Sequence, residues 1–122
     1  MRILIVEDDD DLRAEIVEYL KRRRHEPVPC ASLAAARQAL AAGSADLQAV
    51  ICDMSLPDGD GAELYGDFVP GMDGCLWILL SGGHDPDRLK RVRQPEGISP
   101  PLIVNKPVSL KVLNQYLEAA GR

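Results

Sequence analysis

The chain has no run of about eighteen apolar residues, so no stretch of it reads as a membrane-spanning helix. Its N-terminus, Met1-Arg2, leads straight into a β-branched run and lacks the order of a secretory signal. Cysteine is scarce. Cys30, Cys52 and Cys75 are an odd number without a C-x-x-C pair, which argues against a disulfide framework and against a zinc site. Cys52 and Cys75 lie in or beside apolar runs and are expected to be small core residues. All of this fits a reducing cytoplasm. Basic charge is not in excess either: 14 Lys and Arg against 19 Asp and Glu leave a net charge of −5, which lends nucleic-acid binding no support. Repeats, low-complexity tracts and any break that would mark a second domain are missing. Residues 1–122 are therefore expected to form one domain around one core.

What the chain does have is an alternation of short apolar runs and amphipathic stretches. Ile3-Leu4-Ile5-Val6 is continuously apolar and mostly β-branched, the pattern of a strand buried on both faces. Five consecutive acids, Glu7 to Asp11, follow it. Asp9 or Asp10 can cap a helix over Leu12–Arg24, in which Leu12, Ile16, Tyr19 and Leu20 recur at helical spacing. Lys21 to Arg24 place positive charge at its favourable end. Pro27-Val28-Pro29-Cys30 predicts an edge strand, because each proline lacks an amide donor. Ser32 caps an alanine-rich helix with Leu33, Ala36 and Leu40 on one face and Gly43 as its stop.

Leu47 to Cys52 reads as the next strand, ending on Asp53 and a loop of Gly, Pro and Asp. A short helix from Ala62 to Phe68 stops at Pro70-Gly71, and Cys75 to Leu80 reads as a buried strand ending on Ser81. Asp85-Pro86 opens a short basic helix over Asp87–Arg93. Leu102 to Val104 is a short strand, and Ser109 caps a last helix with Leu110, Leu113 and Leu117 as its apolar face and Gly121 at its end. Five strands alternating with five helices predict an α/β fold, a doubly wound parallel sheet covered on both faces.

Residues with chemistry collect where the strands end. The first strand ends on Glu7-Asp8, the third on Asp53, the fourth on Ser81, and the fifth reaches Lys106. In a doubly wound sheet these ends share one rim, where ligands bind. Three carboxylates on one rim repel each other unless a cation offsets them, and an oxygen-only set suits a hard divalent ion such as Mg2+. Lys106 adds a point charge and Ser81 a hydroxyl. A carboxylate nucleophile, a Mg2+ site, a lysine and a hydroxyl are the parts that phosphoryl transfer needs. Asp58 and Asp60 read as loop residues that hold a turn, His25 and His84 as surface residues, and Trp77 as core.

In order along the chain stand Ile3-Leu4-Ile5-Val6-Glu7-Asp8-Asp9, Asp53-Met54-Ser55-Leu56-Pro57-Asp58-Gly59-Asp60-Gly61, Leu79-Leu80-Ser81-Gly82 and Asn105-Lys106-Pro107. On these segments the whole chain resembles a response-regulator receiver domain of two-component signalling. The resemblance implies a flavodoxin-like three-layer α/β/α fold with strand order 2-1-3-4-5, which puts the proline-bearing second strand at an edge. It implies that Asp53 is the phosphoacceptor, taking a phosphoryl group from a phosphohistidine on a histidine kinase or a histidine phosphotransfer protein. Glu7 and Asp8 become the acidic pair, Asp8 binding Mg2+ directly and Glu7 partly through water, with Asp53 and the Ser55 backbone carbonyl as further ligands. Ser81 bonds the phosphoryl oxygen and shifts on modification, Lys106 pairs with the phosphoryl group, and the Lys106-Pro107 bond is cis. Such a chain is a signalling module that assists its own phosphorylation and dephosphorylation, and it works through a downstream protein target or an output domain, either stand-alone or as part of a longer regulator or hybrid kinase.

The pattern departs from the family at the face that family members use for output. Ile103 occupies the place, three before Lys106, where an aromatic residue is usual. Between Ser81 and Lys106 the helix is short and basic, and Gly97-Ile98-Ser99-Pro100-Pro101 replaces the usual turn. A non-standard partner or a different dimer surface is expected. Two other classes compete. One is a pseudo-receiver that is never phosphorylated. The other is a phosphohydrolase with an aspartate nucleophile, against which Ser55 stands where a haloacid-dehalogenase-type enzyme has its second aspartate.

Overall fold

The structure, a computed structural model, describes residues 1–43, 45–82, 97 and 100–121. In chain order the elements are β1 (Arg2–Val6), α1 (Asp10–Arg22), β2 (Glu26–Cys30), α2 (Leu33–Ala42), β3 (Ala49–Asp53), β4 (Ser55–Leu56), β5 (Gly59–Asp60), α3 (Gly61–Phe68), β6 (Leu76–Ser81), β7 (Leu102–Asn105) and α4 (Leu110–Ala120). Five of the strands form one parallel sheet in the order β2-β1-β3-β6-β7. The other two, β4 and β5, make a small antiparallel ribbon between β3 and α3. Counting the sheet strands alone gives the expected order 2-1-3-4-5. The ribbon is an addition, since strands of two residues leave no periodic trace in a sequence. The helix expected over Asp87–Arg93 lies outside the described residues, as does His84. No helix among the described residues is long and apolar enough to cross a membrane.

Alternate residues of each strand feed two different cores. Ile3, Ile5, Ala49, Ile51, Ile78 and Leu80 pack with Ile16 and Leu20 of α1 and with Leu113 and Leu117 of α4. Leu4, Val6, Val50, Cys52, Trp77 and Leu79 face the other way, onto α2 and α3. That division explains why β1, β3 and β6 read as unbroken apolar runs: neither face meets water. Trp77 is a core residue, edge-on to Tyr65 with ring centroids 5.5 Å apart. Cys30 and Cys52 are buried and Cys75 half-buried, all three as free thiols.

Caps set the helix starts. Asp9, not Asp10, caps α1: its carboxylate accepts from the Asp11 and Leu12 amides at 3.0 and 3.1 Å. The helix therefore begins at Asp10, before the first apolar position, with Asp10 and Asp11 in the turn where negative charge is favoured. Ser32 and Ser109 cap α2 and α4 as expected. The prolines of β2 also have a visible role. Glu26 donates its amide to Met1 in β1's direction, so the alternate positions Pro27 and Pro29 face the open edge. No donor is left there for another chain to pair with.

Candidate functional site

Register brings the strand ends together. Val6 lies beside Cys52, so Glu7 and Asp53 leave the two central strands side by side. Asp53 pairs with Leu80, and Ser81 pairs with Asn105. Lys106 follows at once, its amide bonded to the Ser81 carbonyl at 2.8 Å. Strand order reverses between β1 and β3, which makes Glu7 and Asp53 the two lips of the switch-point crevice.

Lys106 joins them. It starts from the edge strand β7 and lays its stem across the rim, placing Nζ 2.8 Å from Asp53 Oδ2 and 3.0 Å from Glu7 Oε1. A compact ammonium with three donors can serve two carboxylates at once. Glu7 is fully buried and Asp53 nearly so, whereas Asp8 is exposed. The other Asp53 oxygen, Oδ1, accepts from the Ser55 amide at 3.0 Å, so both oxygens of this carboxylate are oriented. Arg13 braces the first strand end by donating to the Glu7 carbonyl at 2.8 Å. The Lys106–Pro107 bond is cis.

Burial is the main cause that pushes the Glu7 carboxyl up to about 7; the neighbouring Asp53 carboxylate adds to it and Lys106 opposes it. For Lys106, desolvation pulls the ammonium down, but its bonds to Asp53 and Glu7 outweigh that and raise it above the ordinary lysine value. Glu7, Asp8 and Asp53 each present a carboxylate oxygen within 4.8 Å of the others. Glu7 Oε2 is buried with no hydrogen-bond partner among the described residues. An orphaned carboxylate oxygen beside two more carboxylates fits a hard divalent cation that keeps part of its water shell.

The loop after Asp53 is held tightly. Met54 donates to the Leu80 carbonyl and Gly61 donates to Met54, both at 2.9 Å. Gly61 is needed for space: a Cβ built there would lie 2.2 Å from the Asp53 carbonyl oxygen and 2.9 Å from Cys52 Sγ. Asp60 caps α3 through the Ala62 amide at 2.9 Å, and Asp58 reaches the N-terminus of α2. Both therefore do more than hold a turn. The Asp60 cap is local, two residues from the amide it serves, whereas the partners of Asp58 are set by tertiary contact, and a Pro-Asp-Gly-Asp-Gly string alone signals only a turn. His25, expected at the surface, is half-buried, and burial is the main cause that lowers its pKa.

The predicted residues Glu7, Asp8, Asp53 and Lys106 thus meet at one point. Ser81 is buried on the same rim, one residue past the neighbour of Asp53, and Ser55 contributes its amide. Ile103 is half-buried and pairs with Leu79, which places it on the same sheet face as Ser81.

The profile of the response regulator receiver domain family matches residues 3–118. The chain belongs to that family. As a receiver domain it resembles many solved structures in fold. One is the receiver domain of the hybrid histidine kinase CckA, 20% identical, with all of both chains covered and a TM-score of 0.82. Another is the signal receiver domain of an HD domain-containing protein from Pseudomonas fluorescens Pf-5, 22% identical, covering 98% of this chain and 92% of that one, with a TM-score of 0.83. A third is the response regulator TrrA from Thermotoga maritima, solved in complex with Mg2+ and BeF; it is 20% identical, covers 98% of this receiver and 97% of its own chain, and has a TM-score of 0.77. Among curated proteins none matches.

Proposed function

We propose that this receiver domain, taken as residues 1–122, is a phosphoacceptor of a two-component phosphorelay, with Asp53 as the acceptor. The observation that carries the reading is the Asp53 carboxylate itself. It is nearly buried at the switch point, with one oxygen on the Ser55 amide and the other on Lys106. In the step, an Asp53 oxygen attacks the phosphorus of a phosphohistidine on a histidine kinase or phosphotransfer protein. The P–N bond breaks with its electron pair going to the imidazole, and an acyl phosphate forms on Asp53. Lys106 offsets the negative charge that gathers on the phosphoryl oxygens, and the Ser55 amide keeps the carboxylate from turning. Glu7, Asp8, Asp53 and the Ser55 carbonyl would hold a Mg2+ ion, which supplies further charge neutralisation when bound.

The receiver so read is a signalling module in the cytoplasm rather than an enzyme with its own substrate. Ser81 and Ile103 share one face of the sheet, and modification of Asp53 is felt there first, through the Ser81 hydroxyl. With an aliphatic side chain at Ile103, the surface that answers differs from the family's usual aromatic switch. A downstream protein, an output domain or a second copy would read it.

The test uses Mg2+ with acetyl phosphate or beryllofluoride, followed by intact mass and by the fluorescence of Trp77, the one tryptophan. Wild type is expected to gain one phosphoryl group and shift its fluorescence, and Asp53→Asn to do neither. A silent wild type would favour a pseudo-receiver, and steady phosphate release from monoesters would favour a hydrolase.

A further inference from the structure

Asp58 occupies the turn of the β4–β5 ribbon, and its carboxylate lies over the first turn of α2. Oδ1 accepts from the Leu33 amide and Oδ2 from the Ala34 amide, both at 3.0 Å. Ser32 Oγ takes the Ala35 amide at 3.1 Å, and the Ala36 amide reaches the Ser32 carbonyl. Every N–H of that first turn is satisfied, two of them by a residue more than twenty positions downstream. The Ala34 and Leu33 amides hold the Asp58 carboxyl below its ordinary value, as the positive end of a helix does.

The other end of the same ribbon reaches Asp53. Ser55 pairs with Asp60 and Leu56 with Gly59, so only Pro57 and Asp58 separate the strands. Ser55 gives its amide to Asp53 Oδ1. Gly59 has φ +150°, and a Cβ there would lie 2.7 Å from Leu33 Cδ1, so the ribbon rests directly on α2. The base of the loop is held by the Met54 and Gly61 amides. Ser55 lies between a base fixed by main-chain bonds and a tip fixed by one carboxylate.

We propose that Asp58 is a positioning residue for Asp53: by clamping the ribbon tip onto α2 it holds the Ser55 main chain against the phosphoacceptor carboxylate. The role in phosphorylation rests on the reading of Asp53 given above, whereas the effect on Ser55 does not. It also makes α2 the helix mechanically tied to the site, through a contact between chain segments 24 and 25 residues apart.

Four full-length proteins test this: wild type, Asp58→Ala, Asp58→Asn and Ser32→Ala. Each is assayed in the cold, where circular dichroism shows it folded. Phosphorylation by acetyl phosphate with Mg2+ is timed by intact mass, and exchange of the Ser55 amide is followed by NMR without either reagent. Asp58→Ala is expected to phosphorylate on the order of tenfold more slowly, since small misplacements of reacting groups are costly. Asp58→Asn keeps one acceptor oxygen and should recover part of the rate. Ser32→Ala removes a cap from the same helix end but leaves the ribbon clamped, so its rate should match wild type. Ser55 exchange should accelerate several-fold in Asp58→Ala, less in Asp58→Asn and not in Ser32→Ala, since that clamp is an opening contact for the ribbon. Equal rates in Asp58→Ala and wild type overturn the proposal, and so does equal slowing in Ser32→Ala, which would make helix stability the cause. If wild type takes no phosphoryl group, the phosphoacceptor reading fails. The exchange data then decide alone, and an unchanged Ser55 amide in Asp58→Ala overturns the clamp as well.

Discussion

Replacing Lys106 by Met keeps most of the side-chain stem and deletes the charge between two buried carboxylates. Nζ lies 2.8 Å from Asp53 and 3.0 Å from Glu7. At an effective dielectric of about 20, each attraction is worth roughly 5–6 kcal/mol before desolvation is subtracted. Removing one partner of a buried pair costs about 3–5 kcal/mol net. Lys106 keeps 31% side-chain exposure, so solvent screening puts this case at the lower end, about 3 kcal/mol. The cost also depends on pH in a defined direction. Lys106 opposes the burial that pushes Glu7 up to about 7, so the variant's Glu7 titrates higher still. Below that pH Glu7 is protonated in both folded proteins and the Glu7–Lys106 attraction is absent from both. Above it the wild-type side chain ionises first, and the difference grows by about 1.4 kcal/mol for each unit separating the two pKa values. Urea unfolding read by Trp77 fluorescence in EDTA, at about pH 6 and about pH 8.5, measures both quantities. A penalty that is equal at the two pH values, or smaller at the higher one, would refute this account of Glu7. No penalty at all would refute the pairing.

Two further outcomes follow from the same geometry. Wild-type Glu7 has a folded pKa raised from 4.5 to about 7, so its stabilising contribution is complete below the lower value and lost as pH rises through the upper one. Metal-free protein should lose up to about 3 kcal/mol across that window and then level off; adding Mg2+ above it should raise the urea midpoint, and an unchanged midpoint counts against a cation at Glu7, Asp8 and Asp53. Gly61→Ala forces a Cβ to within 2.2 Å of the Asp53 carbonyl oxygen, and the main chain must move. It should cost about 1–3 kcal/mol and slow phosphorylation, and a variant with wild-type stability would show that the loop yields freely.

Much of the site is legible in the sequence because strand ends are local signals. An apolar run that stops at an acid or a serine marks both a strand and a candidate on the rim, as at Glu7, Asp53 and Ser81, and Lys106 stands one residue beyond Asn105, where the last run stops. The prolines of β2 named its edge position through the donors they lack. The caps Ser32 and Ser109 were readable since a cap and the amide it serves are neighbours in the chain. Less was visible where partners are far apart. The ribbon of β4 and β5 is too short for a pattern, and the reach of Asp58 to Leu33 and Ala34 joins residues with no sequence relation. Nor does a string of acids say which one is buried. Glu7 is fully enclosed and Asp8 faces water, although they are adjacent.

By itself the sequence determined the alternating strands and helices, the family and the residue types on one rim, because strand and helix periods and helix caps act over a few residues. Only the tertiary structure decided that Lys106 crosses β6 to meet Asp53 and Glu7, that Glu7 is desolvated enough to titrate near neutrality, and that the loop after Asp53 is tied at its tip to α2. Those depend on distances between chain-distant groups and on the water excluded around them, neither of which is written in local order.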